Sequence, residues 1–191
     1  MSSASYEHVA PGKIYSSFEG EPESLNLDFV YTSPTTPMAD IPDWIEELNL
    51  QSSIMHETLE GLPSGLKVLR LCSCESLSDL SALPESVEKL MIYDCCYVKL
   101  KTLPKMVADL HVDISELAPG DLLELGAGPA KLALSFPDDG TSLDLSSLTN
   151  TRELKIYGVS YYETETFDLA KAPPHLTKLS LEDITVADEV L

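Results

Sequence analysis

The residues best suited to chemistry in this sequence are four cysteines and one histidine. Cys72, Cys74, Cys95 and Cys96 fall within 25 positions. Cys-x-Cys followed by Cys-Cys supplies the ligand count of a tetrahedral zinc site, in which four thiolates surround one ion at about 2.3 Å. His111 and Asp113 stand two apart, the spacing at which two strand residues share a face. A histidine oriented by a carboxylate can serve as a general base, provided a Ser or Cys nucleophile lies within hydrogen-bond reach. The other histidines (His8, His56 and His175) have no partner at informative spacing. Phosphate-loop, dinucleotide, zinc-protease and nucleophile-elbow motifs are absent. Neighbouring carboxylates are common, but 32 acidic residues make such pairs inevitable. Whether any of these groups can meet depends on the elements that carry them.

Those elements follow a repeat. Leu69-Arg70-Leu71 and Leu90-Met91-Ile92 are 21 residues apart, and each follows the same lead-in, Leu62-Pro63-Ser64-Gly65-Leu66 in one case and Leu83-Pro84-Glu85-Ser86-Val87 in the other. Ile41-Pro42 leads in the same way to Leu48 and Leu50, and Leu103-Pro104 to Leu110 and Val112. The pattern loosens but continues through Leu132/Leu134, Leu154/Ile156 and Leu179/Leu181, with a weak first unit at Leu25/Leu27. Steps between first apolar residues are 23, 21, 21, 20, 22, 22 and 25. Period-two alternation at the end of each unit fits a strand with one buried face. Strands this short need the equivalent strand of the next unit, which predicts a parallel ladder with a spacing of about 4.8 Å. The returning segments carry a second apolar set: Leu77 and Leu80, Val98 and Leu100, Leu117 and Leu122, Leu145 and Leu148. Proline in the lead-in withholds an N–H and disfavours helix before it, so extended or short 3-10 segments are expected there.

The frame decides the chemistry. Cys74 and Cys95 take one inward slot in successive units, whereas Cys72 follows a strand residue and belongs on the concave face. Sulfurs on different faces cannot enclose one ion, so buried thiols are expected and neither a metal nor another cofactor. Cys72 is two units from His111, about 9.6 Å by two strand spacings, too far for proton transfer. No catalytic residue, and hence no enzyme, is expected.

The concave face remains as the candidate site. Its columns are Glu47, Val68, Lys89, Asp109, Lys131, Glu153 and Lys178; Asn49, Arg70, Met91, His111, Ala133, Lys155 and Ser180; and Gln51, Cys72, Tyr93, Asp113, Ser135, Tyr157 and Glu182. Five of the twelve basic residues lie in two of these columns, which is expected to concentrate cations on this face. Arg70, Met91, Tyr93, His111, Lys131, Lys155 and Tyr157 are therefore the candidate partner-binding residues, combining cationic, aromatic and adaptable apolar groups of the kind favoured at interface centres.

The L-P-x-x-L-x-x-L-x-L pattern resembles that of leucine-rich-repeat proteins over about residues 41–185. The Leu-Pro lead-in is most similar to the short repeats of type III secreted bacterial effectors, with FNIP-type repeats as a second likeness. The resemblance implies a solenoid of about seven to eight repeats, with a parallel sheet on the concave face and irregular or 3-10 convex segments. It also implies a protein-binding effector scaffold, delivered into a host cell without a Sec signal. The family's turn asparagine is replaced by Ser53, Cys74, Cys95, Ser115, Pro137, Val159 and Ile184. Ser and Cys can still bond the turn backbone, but Pro, Val and Ile cannot. A less regular C-terminal half is expected.

Residues 1–20 read as a flexible tail, 21–40 as an N-terminal cap or degenerate first repeat with a loop, and 186–191 as a C-terminal cap or tail. Tyr15, Phe18, Phe29 and Trp44 are candidates to cover the first repeat. A net charge of −20 disfavours nucleic-acid and anionic membrane partners. No run of about eighteen apolar residues predicts a membrane span. Clustered cysteines and the lack of a Sec signal suggest a reducing, cytoplasmic setting. The expected function is non-enzymatic protein binding. The alternative is a substrate-receptor or regulatory fragment of a larger ubiquitin-pathway or signalling protein. Oligomeric state is not legible at this level.

Overall fold

A computed structural model describes residues 3–6, 24–28, 38, 41, 43–51, 57–95, 97–113, 125–135, 143–158 and 165–186. Among the described residues the architecture is a parallel β-sheet solenoid with almost no helix. It divides into two units, Met1–Val107 and Ala108–Leu191.

The first unit carries β1 (Ser3–Tyr6), β2 (Ser24–Asp28), β3 (Glu47–Gln51), β4 (Val68–Cys72) and β5 (Lys89–Tyr93). Each pairs in parallel with the next, and the register is the one the apolar pairs dictate: Leu25, Leu48, Leu69 and Leu90 are aligned, as are Leu27, Leu50, Leu71 and Ile92. From β3 to β5 both members of each pair are buried, while the residues between them remain partly exposed. A one-residue slip would reverse that burial in the whole strand, which is why the register is firmly set.

The proline lead-ins form a recurring tight turn. Leu66 N–H donates to the Pro63 carbonyl at 3.2 Å, Val87 to Pro84 at 3.0 Å and Val107 to Pro104 at 3.3 Å. At strand entry one carbonyl accepts two amides, Glu46 from Lys67 and Val68, and Lys67 from Glu88 and Lys89. After β4 and β5 the chain turns through left-handed residues at equivalent positions, Ser73 at φ 51° and Asp94 at φ 52°. Ser73 Oγ donates to Asp94 Oδ2 at 2.9 Å, tying the two turns together. The return path contributes Leu59, Leu77, Leu80, Val98 and Leu100 to the core. A 3-10 turn at Leu100–Thr102 follows the expectation for these segments.

The inward cysteine slot behaves as its chemistry suggests. Cys74 N–H donates to Cys95 Sγ at 3.3 Å, Cys74 Sγ donates to the Leu50 and Cys72 carbonyls at 3.7 and 3.6 Å, and Cys95 Sγ donates to the Tyr93 carbonyl at 3.1 Å. The thiols thus hydrogen-bond the backbone around the turns. One expectation fails here: Trp44 is 45 % exposed, and Ile41 and Ile45 beside it are buried in its stead. The two isoleucines take the inward positions, which leaves the indole outside. Tyr15, Phe18 and Phe29, also expected in the cap, lie outside the described residues. So do Cys96, Leu117 and Leu122.

The second unit carries β6 (Asp109–Val112), β7 (Lys131–Ser135), β8 (Glu153–Tyr157), β9 (Glu165–Phe167), β10 (Lys178–Glu182) and β11 (Ile184–Val186). β6, β7, β8 and β10 are parallel neighbours, aligning Leu110, Leu132, Leu154 and Leu179. β9 and β11 form a separate two-stranded parallel sheet. Ile184, in the slot held by thiols in the first unit, starts β11 and makes a strand instead of a hydrogen-bonded turn. Asp183 just before it is again left-handed, at φ 58°. Phe167 on β9 is buried. Asp168 caps the 3-10 turn Leu169–Lys171 by accepting from Ala170 N–H at 2.9 Å. Among the described residues of this unit, the last turn is where the frame is broken.

Candidate functional site

The columns expected on the concave face exist as side-chain rows within each unit because alternate strand residues face away from the core. In the first unit Arg70, Met91 and Tyr93 are half-exposed on adjacent strands, and Arg70 aligns with Met91. Arg70 Nη1 lies 3.8 Å from Glu47 Oε2 on β3. Cys72 Sγ donates to Asn49 Oδ1 across the same strands at 3.8 Å. Burial pushes the Cys72 thiol up, as does the field of Cys95, against the opposing pull of Arg70. Hydrogen bonding with Cys74, and then burial, raises the Cys95 thiol strongly. Neither sulfur is poised as a thiolate, the form that attacks electrophiles and binds metals. Among the described residues no group of three or more His, Cys, Asp or Glu side chains is placed to hold a metal ion.

In the second unit His111, Lys155 and Tyr157 come together. The His111 and Tyr157 rings stack with centroids 5.5 Å apart and planes within 5° of parallel. Two strand spacings, about 9.6 Å, separate β6 from β8. On the intervening β7, Ala133 aligns with His111 and Ser135 with Tyr157, so only small side chains lie between the two rings. Lys155 Nζ sits 4.4 Å from the centre of the Tyr157 ring and 2.7 Å from Glu182 Oε1. The Glu182 carboxylate, and after it the Tyr157 hydroxyl, hold the Lys155 ammonium above the ordinary lysine range. Ser135 Oγ donates to Asp113 Oδ1.

Lys131 joins this face through a different group. Glu153 Oε1 lies 3.6 Å from Lys131 Nζ, and its Oε2 lies 3.3 Å from Lys178 Nζ, so one carboxylate links the cations of the strands on either side. Bonding to Lys178 holds the Glu153 carboxyl below the usual range. The cations of Arg70, Lys131, Lys155 and Lys178 are thus each matched by an acid from a neighbouring strand. The expected cationic face is in fact a laddered one of alternating sign. Sequence reasoning named the cations and passed over Glu47, Glu153 and Glu182. The missed signal was present in the columns, where Lys131, Glu153 and Lys178 alternate in sign at successive positions. Exposed pairs of this kind contribute little stability singly, but they fix side-chain positions on the sheet.

No protein-family model, curated protein or solved structure matches the chain. Among the described residues no helix is long and apolar enough to cross a membrane.

Proposed function

We propose that this chain is a non-enzymatic leucine-rich-repeat scaffold of seven to eight repeats that binds a protein partner through its concave strand face. The observation that carries the reading is the half-exposed His111–Tyr157 stack with Lys155 over the tyrosine ring, on a rigid parallel sheet. Aromatic rings held in place lose little side-chain entropy on binding, and flat aromatic surface supplies much of the affinity at interface centres. Arg70, Met91 and Tyr93 provide the same mixture of groups on the first unit, and Lys131 a charged margin on the second. Stable ion pairs around the rings set a charge pattern that a partner must complement, and this governs specificity more than strength.

The test is affinity capture from a cell lysate with a photo-crosslinking residue placed at position 89, on the same face but away from the rings, repeated with His111→Ala/Tyr157→Ala and with Met91→Ala/Tyr93→Ala. A partner that crosslinks to the native chain and is lost with either variant, at unchanged thermal stability, supports the reading. A partner retained by both variants rules out the concave face as the binding surface.

A further inference from the structure

We propose that β10 is a self-complementary sheet edge at which two copies of this chain pair antiparallel about Ser180. β10 ends the parallel sheet of the second unit, with β8 on one side and, among the described residues, no strand on the other. Its backbone polarity is defined by the bonds to β8. Lys178 N–H donates to the Arg152 carbonyl at 3.0 Å, and the Glu182 carbonyl accepts from Gly158 N–H at 2.8 Å. Residues 178, 180 and 182 therefore turn their backbone groups inward to the sheet, and Leu179 and Leu181 turn theirs to the open side. The apolar side chains of the same two residues are only half-buried, whereas their counterparts on β8, Leu154 and Ile156, are buried. The same last turn leaves Leu169 50 % and Val186 41 % exposed. An edge with free backbone groups and uncovered leucines is a template for another strand.

The sequence of the strand names its partner. Lys178-Leu179-Ser180-Leu181-Glu182 reads as its own charge complement when reversed. With Ser180 opposite Ser180, Lys178 faces Glu182 of the second copy, Leu179 faces Leu181, and each contact occurs twice, as a two-fold interface demands. The polarity also fits. Leu179 and Leu181 of opposite copies form the hydrogen-bonded pairs, exchanging both N–H···O bonds, while Lys178 and Glu182 form non-hydrogen-bonded pairs, in which side chains approach more closely. The arrangement repeats one already present within the unit. Glu153 lies between Lys131 and Lys178 of its neighbouring strands, and Glu182, bonded to Lys155 at 2.7 Å, would lie between Lys155 and Lys178 of the second copy. A two-fold axis normal to the sheet keeps both concave faces on one side, so the dimer would present a continuous face.

Sedimentation of the native chain, over a concentration series reaching about 1 mM as befits a short interface, is expected to show a monomer–dimer equilibrium. Lys178→Glu and Glu182→Lys each place like charges opposite one another twice, and each is expected to weaken self-association by about tenfold or more. Mixing the two variants sets an acid opposite a base at both crossings of positions 178 and 182, and dimer is expected to return. Recovery on mixing separates a lost interface from a misfolded chain. A native chain that stays monomeric, single variants that dimerise like the native chain, or a mixture of folded variants that stays monomeric would each overturn the proposal.

Discussion

His111 and Tyr157 stack ring on ring at 5.5 Å although a whole strand lies between those that bear them. The gap is bridged over β7, where Ala133 beside His111 and Ser135 beside Tyr157 are both small. Replacing Ala133 with Phe would fill that space and part the rings. The expected result is loss of the ring-current shift on the His111 proton resonances, of the same size as that caused by Tyr157→Ala. Position 133 is half-exposed, so the change in folding stability is expected to stay within about 1 kcal/mol, as measured by denaturant unfolding. Partner capture should fall with the ring-current shift.

Gly128 and Thr151 form a tight contact in the second unit. Gly128 has φ +78°, and a Cβ on it would come within 2.9 Å of Thr151 Oγ1 and 3.2 Å of Leu148 Cβ. Thr151 is buried and its hydroxyl donates to the Pro129 carbonyl at 2.8 Å. Gly128→Ala combines a left-handed backbone with a clash and should destabilise by more than about 1 kcal/mol. Thr151→Val keeps the shape but leaves the carbonyl without its donor, which should cost about 1–3 kcal/mol. Because the two sites touch, a double-mutant cycle by urea denaturation should be non-additive.

The buried thiols give a prediction at alkaline pH. The folded chain holds the Cys95 proton more tightly than an ordinary thiol, whose value is 9.0. Below that pH both folded and unfolded chains keep the proton, and stability does not change on this account. Above it the unfolded chain gives up the proton and the folded chain does not, so stability falls as pH rises. Thermal melting between pH 7 and 10 in a Cys96→Ser background should show this decline, and Cys95→Ala should lessen it, with the raised Cys72 thiol still contributing. Alkylation of Cys95 should require unfolding, so its rate should track denaturant concentration.

Two return segments contain the same acid-sensitive turn. Asp79 Oδ1 accepts from Ser81 N–H at 2.7 Å, and Asp144 Oδ1 accepts from the N–H and hydroxyl of Ser146 at 3.1 and 2.6 Å. These bonds hold both carboxyls below the ordinary value of 3.8. Depressed folded-state values mean that their stabilisation is present above about pH 4 and disappears as pH falls through the folded values. Asp79→Asn and Asp144→Asn should lower the melting temperature slightly at pH 7, by a margin that shrinks as pH falls below about 4. A melting series across that range checks the sign.

Much of the ladder was legible because its cause is local. Leu69/Leu71 and Leu90/Ile92 announce a half-buried strand, and the constant step dictates which strands align. The convex residues Leu77, Leu80, Val98, Leu100, Leu145 and Leu148, chosen by the same reasoning, are buried. Strand β1 was not legible, since Ala4 and Tyr6 stand in Ser3-Ala4-Ser5-Tyr6 where the other units carry an aliphatic pair, and the stretch read as a tail. Nor was the β9–β11 pair, which breaks the frame of the preceding turns. Trp44 misled because size and apolarity suggested cover, whereas the frame had already assigned the inward places to Ile41 and Ile45. At the site, residue types were readable and pairing was not. A lysine in a column shows where its backbone lies, but which acid it reaches depends on rotamers and neighbours that only the folded sheet sets.

The constant register has a consequence for how such a chain changes length. Lys89 stands in the frame where Val68 stands, 21 positions earlier. Excising residues 68–88 would seat Lys89 against Glu47, Leu90 against Leu48 and Met91 against Asn49, leaving apolar residues inward and an acid beside a base. Gain or loss of a whole turn by a single in-frame genetic event thus preserves every rule of the fold while redrawing the face. Turn number is for this architecture an inheritable variable, and the side chains the sheet displays can be recast by recombination while the inward frame is kept.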